Sequence, residues 1–162
     1  MRLRPLHAAL AACMSFACLH PAAAQTTHPP YVDALEYFTT DAQYDAWFTL
    51  TAQLERNFDE ICGDTFCEGD YSNLTPLRLR CSVMPGSGRI GRCVWVFAGS
   101  YEDIDPANGD IAVQAQSWSC VLPLAPNTRI DGLVAALAGE SPLFTTLPGT
   151  QGSIYDGLGD CL

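Results

Sequence analysis

The chain has 162 residues and a net charge of −10, with eighteen acidic residues against eight arginines and no lysine. A chain this acidic repels nucleic acid and anionic lipid, and it favours a basic protein as its partner. The only histidine beyond residue 20 is His28. His28 lies in a leader that we expect to be flexible, so the folded part has no histidine and no lysine. A Ser-His-Asp triad, a Cys-His pair, a histidine-ligated zinc and a Schiff-base lysine are therefore excluded. We assign no catalytic residue, metal ligand or cofactor.

Residues 1–24 have the three parts of an export signal. Two arginines form a basic start, an apolar stretch rich in Ala and Leu follows, and Ala22 and Ala24 match the small residues before a cleavage site. The apolar stretch is too short to span a membrane, and no later segment is long and apolar enough. We expect a bacterial protein that is periplasmic or secreted.

A second cleavage site is possible at residues 10–13, Leu-Ala-Ala-Cys, which have the spacing of a lipobox. Such a site would make Cys13 the lipid-modified first residue. The apolar run before Cys13 has only about seven residues, at the lower end of the usual length. We therefore predict cleavage after Ala24 and keep the lipid anchor at Cys13 as the alternative.

Cleavage after residue 24 leaves six arginines against eighteen acidic residues, a net charge of −12. We divide the remaining chain into a flexible leader at residues 25–39 and a single disulfide-stabilised domain at residues 40–162. The length suits one ordinary domain.

Six cysteines remain after removal of the signal, and an even number behind an export signal predicts three disulfides. The spacing does not match a zinc-binding pattern. We predict that one bond closes a small loop, one crosses a hairpin and one ties down the C-terminal tail. The predicted pairs are Cys62 with Cys67, Cys81 with Cys93, and Cys120 with Cys161.

The first predicted element is a long helix from Asp41 to about Phe58. Thr40 and Gln43 match a capping box at its start. Apolar side chains at helical spacing predict one buried stripe. Its members are Tyr44, Trp47, Phe48, Thr51, Leu54, Phe58 and Ile61.

Three strands follow, predicted from Leu77, at residues 93–97 and at residues 111–122. The first turn lies near Ser87, and Asn108-Gly109 is the signal of a two-residue hairpin turn. These turns set the register of the strands. They place Cys81 opposite Cys93, Leu79 opposite Trp95 and Cys120 opposite Phe97, on the face that the helix covers.

A second, short helix is predicted from Ile130 to Leu137, with Gly139 ending it. We predict no regular element in residues 140–162. The order of elements predicts an α+β fold, in which a long N-terminal helix covers an antiparallel meander of three or four strands.

The candidate site is an acidic loop next to the first disulfide, where five carboxylates lie within residues 59–70. Such a loop is most often a solvated turn, but it also suits recognition of a basic protein or calcium binding, although its spacing is not that of an EF-hand. We expect Arg78, Arg80, Arg89 and Arg92 to pair with this loop or to form a small anion site. The predicted partner-binding residues are Glu60, Asp64, Glu68, Asp70 and Tyr71.

We therefore expect an exported, acidic binding protein, as an inhibitor or immunity protein against a basic wall-active enzyme. One alternative is a glycan hydrolase that uses two carboxylates. The other is a calcium-stabilised surface module.

Overall fold

The computed structural model describes residues 31–162. The predicted export signal, the lipobox-like segment and residues 25–30 of the predicted leader lie outside the described residues. The elements are β1 (Val32–Asp33), α1 (Ala34–Tyr37), α2 (Asp41–Cys62), β2 (Thr75–Met84), β3 (Arg89–Ile104), β4 (Ile111–Val121), α3 (Ile130–Ala136) and α4 (Ile154–Gly159).

The predicted α+β fold is confirmed. The four strands form one antiparallel sheet in the order β1-β2-β3-β4, and α2 packs on one face of it, where Phe58 contacts the rings of Trp95 and Phe97. Of the helices between residues 31 and 162, none has the length and apolar character needed to cross a membrane.

Helix α2 begins at the predicted capping box, in which Thr40 and Gln43 exchange hydrogen bonds. The helix continues to Cys62, about one turn beyond the predicted end. Its buried stripe is rotated from the predicted one: Leu50, Asn57 and Cys62 are buried, whereas Phe48 is 55% exposed and Tyr44, Thr51 and Ile61 are half-buried. At the start of α2, Tyr44 donates to the carbonyls of Leu35 and Phe38, which ties the helix to the segment that precedes it.

The register between β2 and β3 confirms the predicted pairs of Cys81 with Cys93 and Leu79 with Trp95. An irregularity between Ser82 and Val83 absorbs the one-residue difference between this register and that of the turn after Met84, and a second one lies between Pro76 and Arg78. The core lies on the face that carries Cys81, Cys93 and Trp95, each at most 1% exposed.

The predicted pairing of Cys120 with Phe97 is wrong, because Cys120 lies opposite Trp95 and Phe97 lies opposite Trp118. The turn is longer than the Asn-Gly signal indicates: the amide of Asp105 donates to the carbonyl of Asp110, and four residues lie between them. A shift of two residues keeps every side chain on its face of the sheet. Cys120 is therefore still buried, as predicted.

All three predicted disulfides are confirmed, with Cα–Cα distances of 4.9 Å for Cys62–Cys67, 4.0 Å for Cys81–Cys93 and 5.6 Å for Cys120–Cys161. The first closes the end of α2, the second joins two central strands, and the third ties the C-terminal tail to β4. This set of bonds is consistent with an extracellular, stabilised protein.

Three elements were not predicted, namely β1, α1 and α4. Ala34 is fully buried and Phe38 is 4% exposed, so the folded part begins before residue 40. In the tail, Ser153 and Asp156 form a capping box that starts α4. The predicted helix α3 is confirmed, with Ile130, Leu133 and Leu137 buried.

Candidate functional site

The acidic loop, residues 60–71, has a backbone that is fixed from two sides. The Cys62–Cys67 disulfide closes it, and the amide of Cys67 donates to the carbonyl of Cys62 at 2.7 Å. Phe66 stacks on the buried ring of Phe58 at 5.8 Å and also contacts Tyr155. The loop is therefore anchored in the core through an aromatic side chain.

The predicted partner-binding residues divide into two groups. Glu60, Asp64, Glu68 and Asp70 are exposed and accessible to a partner. Tyr71 is half-buried, and its ring meets that of Trp118 edge-to-face at 5.2 Å. Tyr71 therefore anchors the loop against β4 and contributes less free surface than its neighbours.

Beside this loop the sheet narrows to two strands. The last residue of β3 that pairs with β2 is Ala98, opposite Thr75. Beyond it, β3 and β4 pair with each other up to Ile104 and Ile111. We call residues 99–116 the arm, because among the described residues it has no third strand. The arm was not predicted, because the sequence indicated a central strand that ends at Phe97.

The base of the arm is joined to the end of the acidic loop by two hydrogen bonds. The side-chain amide of Asn73 donates to the hydroxyl of Ser100 at 2.7 Å, and the backbone amide of Ser100 donates to Asn73 Oδ1 at 2.7 Å. Gly99 also lies close to Asn73 and Leu74. These contacts bring two distant segments together, and no sequence motif indicated them.

The loop, the adjacent Asp59 of α2 and the arm together form what we call the acidic end. To the five carboxylates of residues 59–70, the arm and its turn add Glu102, Asp103, Asp105 and Asp110, all exposed. Residues 57–77 and 93–128 contain no arginine, lysine or histidine. Negative charge from both segments is therefore uncompensated within them, and the summed field favours a cation or a basic surface.

Apolar side chains lie exposed among these charges. Ile104, Ile111 and Val113 are 64%, 61% and 63% exposed. Ile104 and Ile111 face each other across the arm next to its turn. Apolar contact area surrounded by charged groups is the composition that protein–protein interfaces use.

Arg80 and Arg129 pair with carboxylates outside the acidic loop, and the prediction that the arginines pair with the loop is wrong. Arg80 Nε lies 2.6 Å from the carboxylate of Asp33, and Arg129 lies 3.9 Å from Asp131. In residues 31–162 no other pair is within 4 Å. Arg89 and Arg129 meet at the opposite end of the sheet, where Arg129 donates to the carbonyl of Ser87.

The carboxylates do not support the hydrolase alternative. The pKa of Asp156 is lowered by hydrogen bonds from the backbone amide and hydroxyl of Ser153, whereas a general acid needs a raised pKa. Asp33 and Glu55 line one groove beside α2. Asp33 accepts from Arg80 and from the amide of Leu35, so its oxygens are already engaged by donors of the chain itself.

The acidic loop does not support the calcium alternative either. From Tyr31 to Leu162, no three or more His, Cys, Asp or Glu side chains are grouped closely enough to hold a metal ion. The carboxylates are spread along an exposed surface, whereas a calcium site needs several oxygens around one point.

Comparison of the chain with protein-family models, curated proteins and solved structures gave no significant match. The functional argument therefore depends on the geometry and charge of this chain alone.

Proposed function

We propose that this protein is an exported binding protein that recognises a basic protein through its acidic end. The observation that carries the proposal is the joining of the acidic loop to the arm by Asn73 and Ser100. Nine carboxylates thereby share one end of the molecule with exposed apolar side chains. Charge of one sign at an interface steers a partner of the opposite sign and suppresses wrong partners.

The rigidity of the surface supports a binding role. A disulfide, a buried phenylalanine and two 2.7 Å hydrogen bonds hold the loop and the arm base in place before any partner arrives. A preorganised surface loses less conformational entropy on association, so more of the contact energy is available for affinity.

The expected location of the protein limits the partners that it can meet. Three disulfides and the predicted export signal favour folding in the periplasm or outside the cell. A basic surface on an enzyme that acts on an anionic wall polymer would attract that polymer, and it would also suit the acidic end. We therefore propose that the protein inhibits, or confers immunity against, a basic wall-active enzyme.

The experiment measures binding to a basic lysozyme by isothermal titration calorimetry. It compares about 20 mM salt, where charges are weakly screened, with about 300 mM salt, where they are strongly screened. We expect binding at low salt that weakens at high salt. The variant Asp64→Arg/Glu68→Arg is expected to bind at least about tenfold more weakly, because each reversal replaces attraction with repulsion.

The matched control is Glu36→Arg/Asp45→Arg, which changes the net charge by the same amount on exposed positions away from the loop. This control is expected to retain most of the affinity. Equal weakening by both variants would mean that net charge, and not the acidic end, governs binding. If the unaltered protein did not bind the lysozyme at low salt, the proposal would be rejected.

A further inference from the structure

The outer edge of β4 is unpaired, since among residues 31–162 the sheet ends at this strand. The strand has 11 residues and contains no charged residue and no proline. Proteins usually protect exposed edges with charges, prolines, bulges or very short strands. A long, neutral edge without these features is suited to pairing with another strand.

The hydrogen-bond pattern identifies which backbone groups are available at this edge. The amide of Asp105 donates to Asp110 at one end, and the amide of Leu122 donates to Cys93 at the other. The register between these bonds is uninterrupted. Because bonded and non-bonded pairs alternate in an antiparallel ladder, even-numbered residues of β4 bond to β3. The odd-numbered residues Val113, Ala115, Ser117 and Ser119 direct their amides and carbonyls outward.

The side chains at these odd positions are also uncovered. Ile111, Val113 and Val121 are 61%, 63% and 51% exposed, and all three lie on the face opposite the core. A strand added to β4 would place its own side chains about 5 Å from them. The added strand would therefore gain apolar contacts as well as backbone hydrogen bonds.

The charges around the edge decide which strand fits. Asp110 precedes β4, Glu102 lies opposite Val113, and Asp103 lies opposite Ala112. Asp160 precedes Cys161, which is bonded to Cys120 near the other end of the strand. A second copy paired antiparallel would bring its Asp110 towards this Asp160, so like charges would meet. A strand that carries lysine or arginine would be attracted at both ends.

We propose that the edge of β4 accepts an extended, basic segment of the partner as a fifth strand. This inference rests on the proposed function, because it assigns the mode by which the acidic end recognises a basic protein. Main-chain pairing would supply affinity, and the flanking carboxylates would select the basic segment.

The test uses the exported, oxidised protein and a synthetic nine-residue peptide of alternating lysine and threonine. An alternating lysine and proline peptide of equal charge is the control, since proline cannot donate to a strand ladder. Amide hydrogen exchange is followed by NMR with and without each peptide. We expect the lysine-threonine peptide to slow exchange at Val113, Ala115 and Ser117, and the control peptide to leave it unchanged.

Three variants test the same point by fluorescence anisotropy. Ala115→Pro removes one outward amide and is expected to weaken binding of the lysine-threonine peptide by about tenfold, which corresponds to the loss of about one hydrogen bond. Ala115→Gly disturbs the strand but keeps the amide, so it is expected to bind nearly as the unaltered protein does. Val113→Lys keeps the fold and the amide, and its added charge is expected to weaken binding.

Equal binding of both peptides with no change in exchange at the odd positions would overturn the inference and leave binding by the acidic end intact. No binding of either peptide would overturn it as well. Slow exchange at the odd positions without peptide would mean that another strand already covers the edge, which also overturns it. A different outcome would be peptide binding that is lost in Ala115→Pro but does not depend on salt in the unaltered protein. That outcome would reject the role of the acidic end and support strand pairing at the edge of β4.

Discussion

Asn73 and Ser100, 27 residues apart in the chain, are joined by two hydrogen bonds of 2.7 Å that involve both ends of the Asn73 side-chain amide. Ser100 contributes its hydroxyl and its backbone amide. This pair holds the segment after the acidic loop against the base of the arm, in addition to the contact of Tyr71 with Trp118.

Replacing Asn73 with alanine is expected to loosen the arm and to cost about 1 kcal/mol of global stability, because the lost bonds are near the surface. Amide exchange should become faster at Ser100 and its neighbours in the arm and change little in the core strands. Ser117→Ala is the control, since Ser117 is exposed and outside this contact. Uniform acceleration in all strands would show that Asn73 serves overall stability and not the arm.

The two phenylalanines of α2 should contribute unequally to stability, because only one of them lies in the core. Phe58 is fully buried against Phe97, with ring centroids 4.9 Å apart, whereas Phe48 is 55% exposed. Phe58→Ala is expected to lower the free energy of unfolding by about 3–5 kcal/mol, because it leaves a cavity. Phe48→Ala should lower it by less than about 1 kcal/mol. Urea denaturation compares them, and similar losses would restore the predicted stripe with Phe48 inside.

The disulfides should contribute unequally, because they close loops of different length. Cys120–Cys161 spans 41 residues and Cys62–Cys67 spans 5. In the chain-entropy account, removing the longer bond costs about 4 kcal/mol and removing the shorter bond costs about 2 kcal/mol. Pairs of Cys→Ser substitutions, compared by denaturation without reductant, measure the difference. A larger loss from the short loop would show that native contacts around α2 outweigh loop entropy.

The contribution of Asp156 to stability should depend on pH. The backbone amide of Ser153, and then its hydroxyl, lower the pKa of this carboxyl, so the folded state favours the ionised form. The stabilisation is present above the pKa of the unfolded chain and is lost as the pH falls through the folded pKa. Asp156→Asn should therefore be less stable than the unaltered protein near neutral pH, and the difference should shrink under acid conditions. A difference that does not vary with pH would contradict the assignment.

Patterns that depend on local chemistry were readable from the sequence. Thr40 and Gln43 define the start of α2, and alternation around Cys81 and Cys93 defines a buried pair of strands. Each disulfide followed from a loop, a hairpin or a tail. The capping box and the strand alternation depend on neighbouring residues, whereas the disulfides followed from an even number of cysteines and their positions relative to the predicted turns and tail.

Features that depend on tertiary contact were not readable. The Asn108-Gly109 pair suggested a two-residue turn, but the bond between Asp105 and Asp110 makes a longer one. Val32–Asp33 is too short for any strand pattern, and it is held by pairing with β2. The four acidic residues of the predicted site lie on the surface as expected, yet the arm that completes it is defined by the end of β2 at Thr75.

The separation of charge along the sheet has a consequence for the rate of encounter. Arg92 and Asp103 lie on the same strand, 11 residues apart, so the two ends are about 36 Å from each other in extended chain. With its carboxylates concentrated at one end, the molecule carries a permanent dipole in addition to its net charge. A positively charged protein approaching from the side would rotate it until the carboxylates lead, so that orientation precedes contact and collisions at the arginine end become rare.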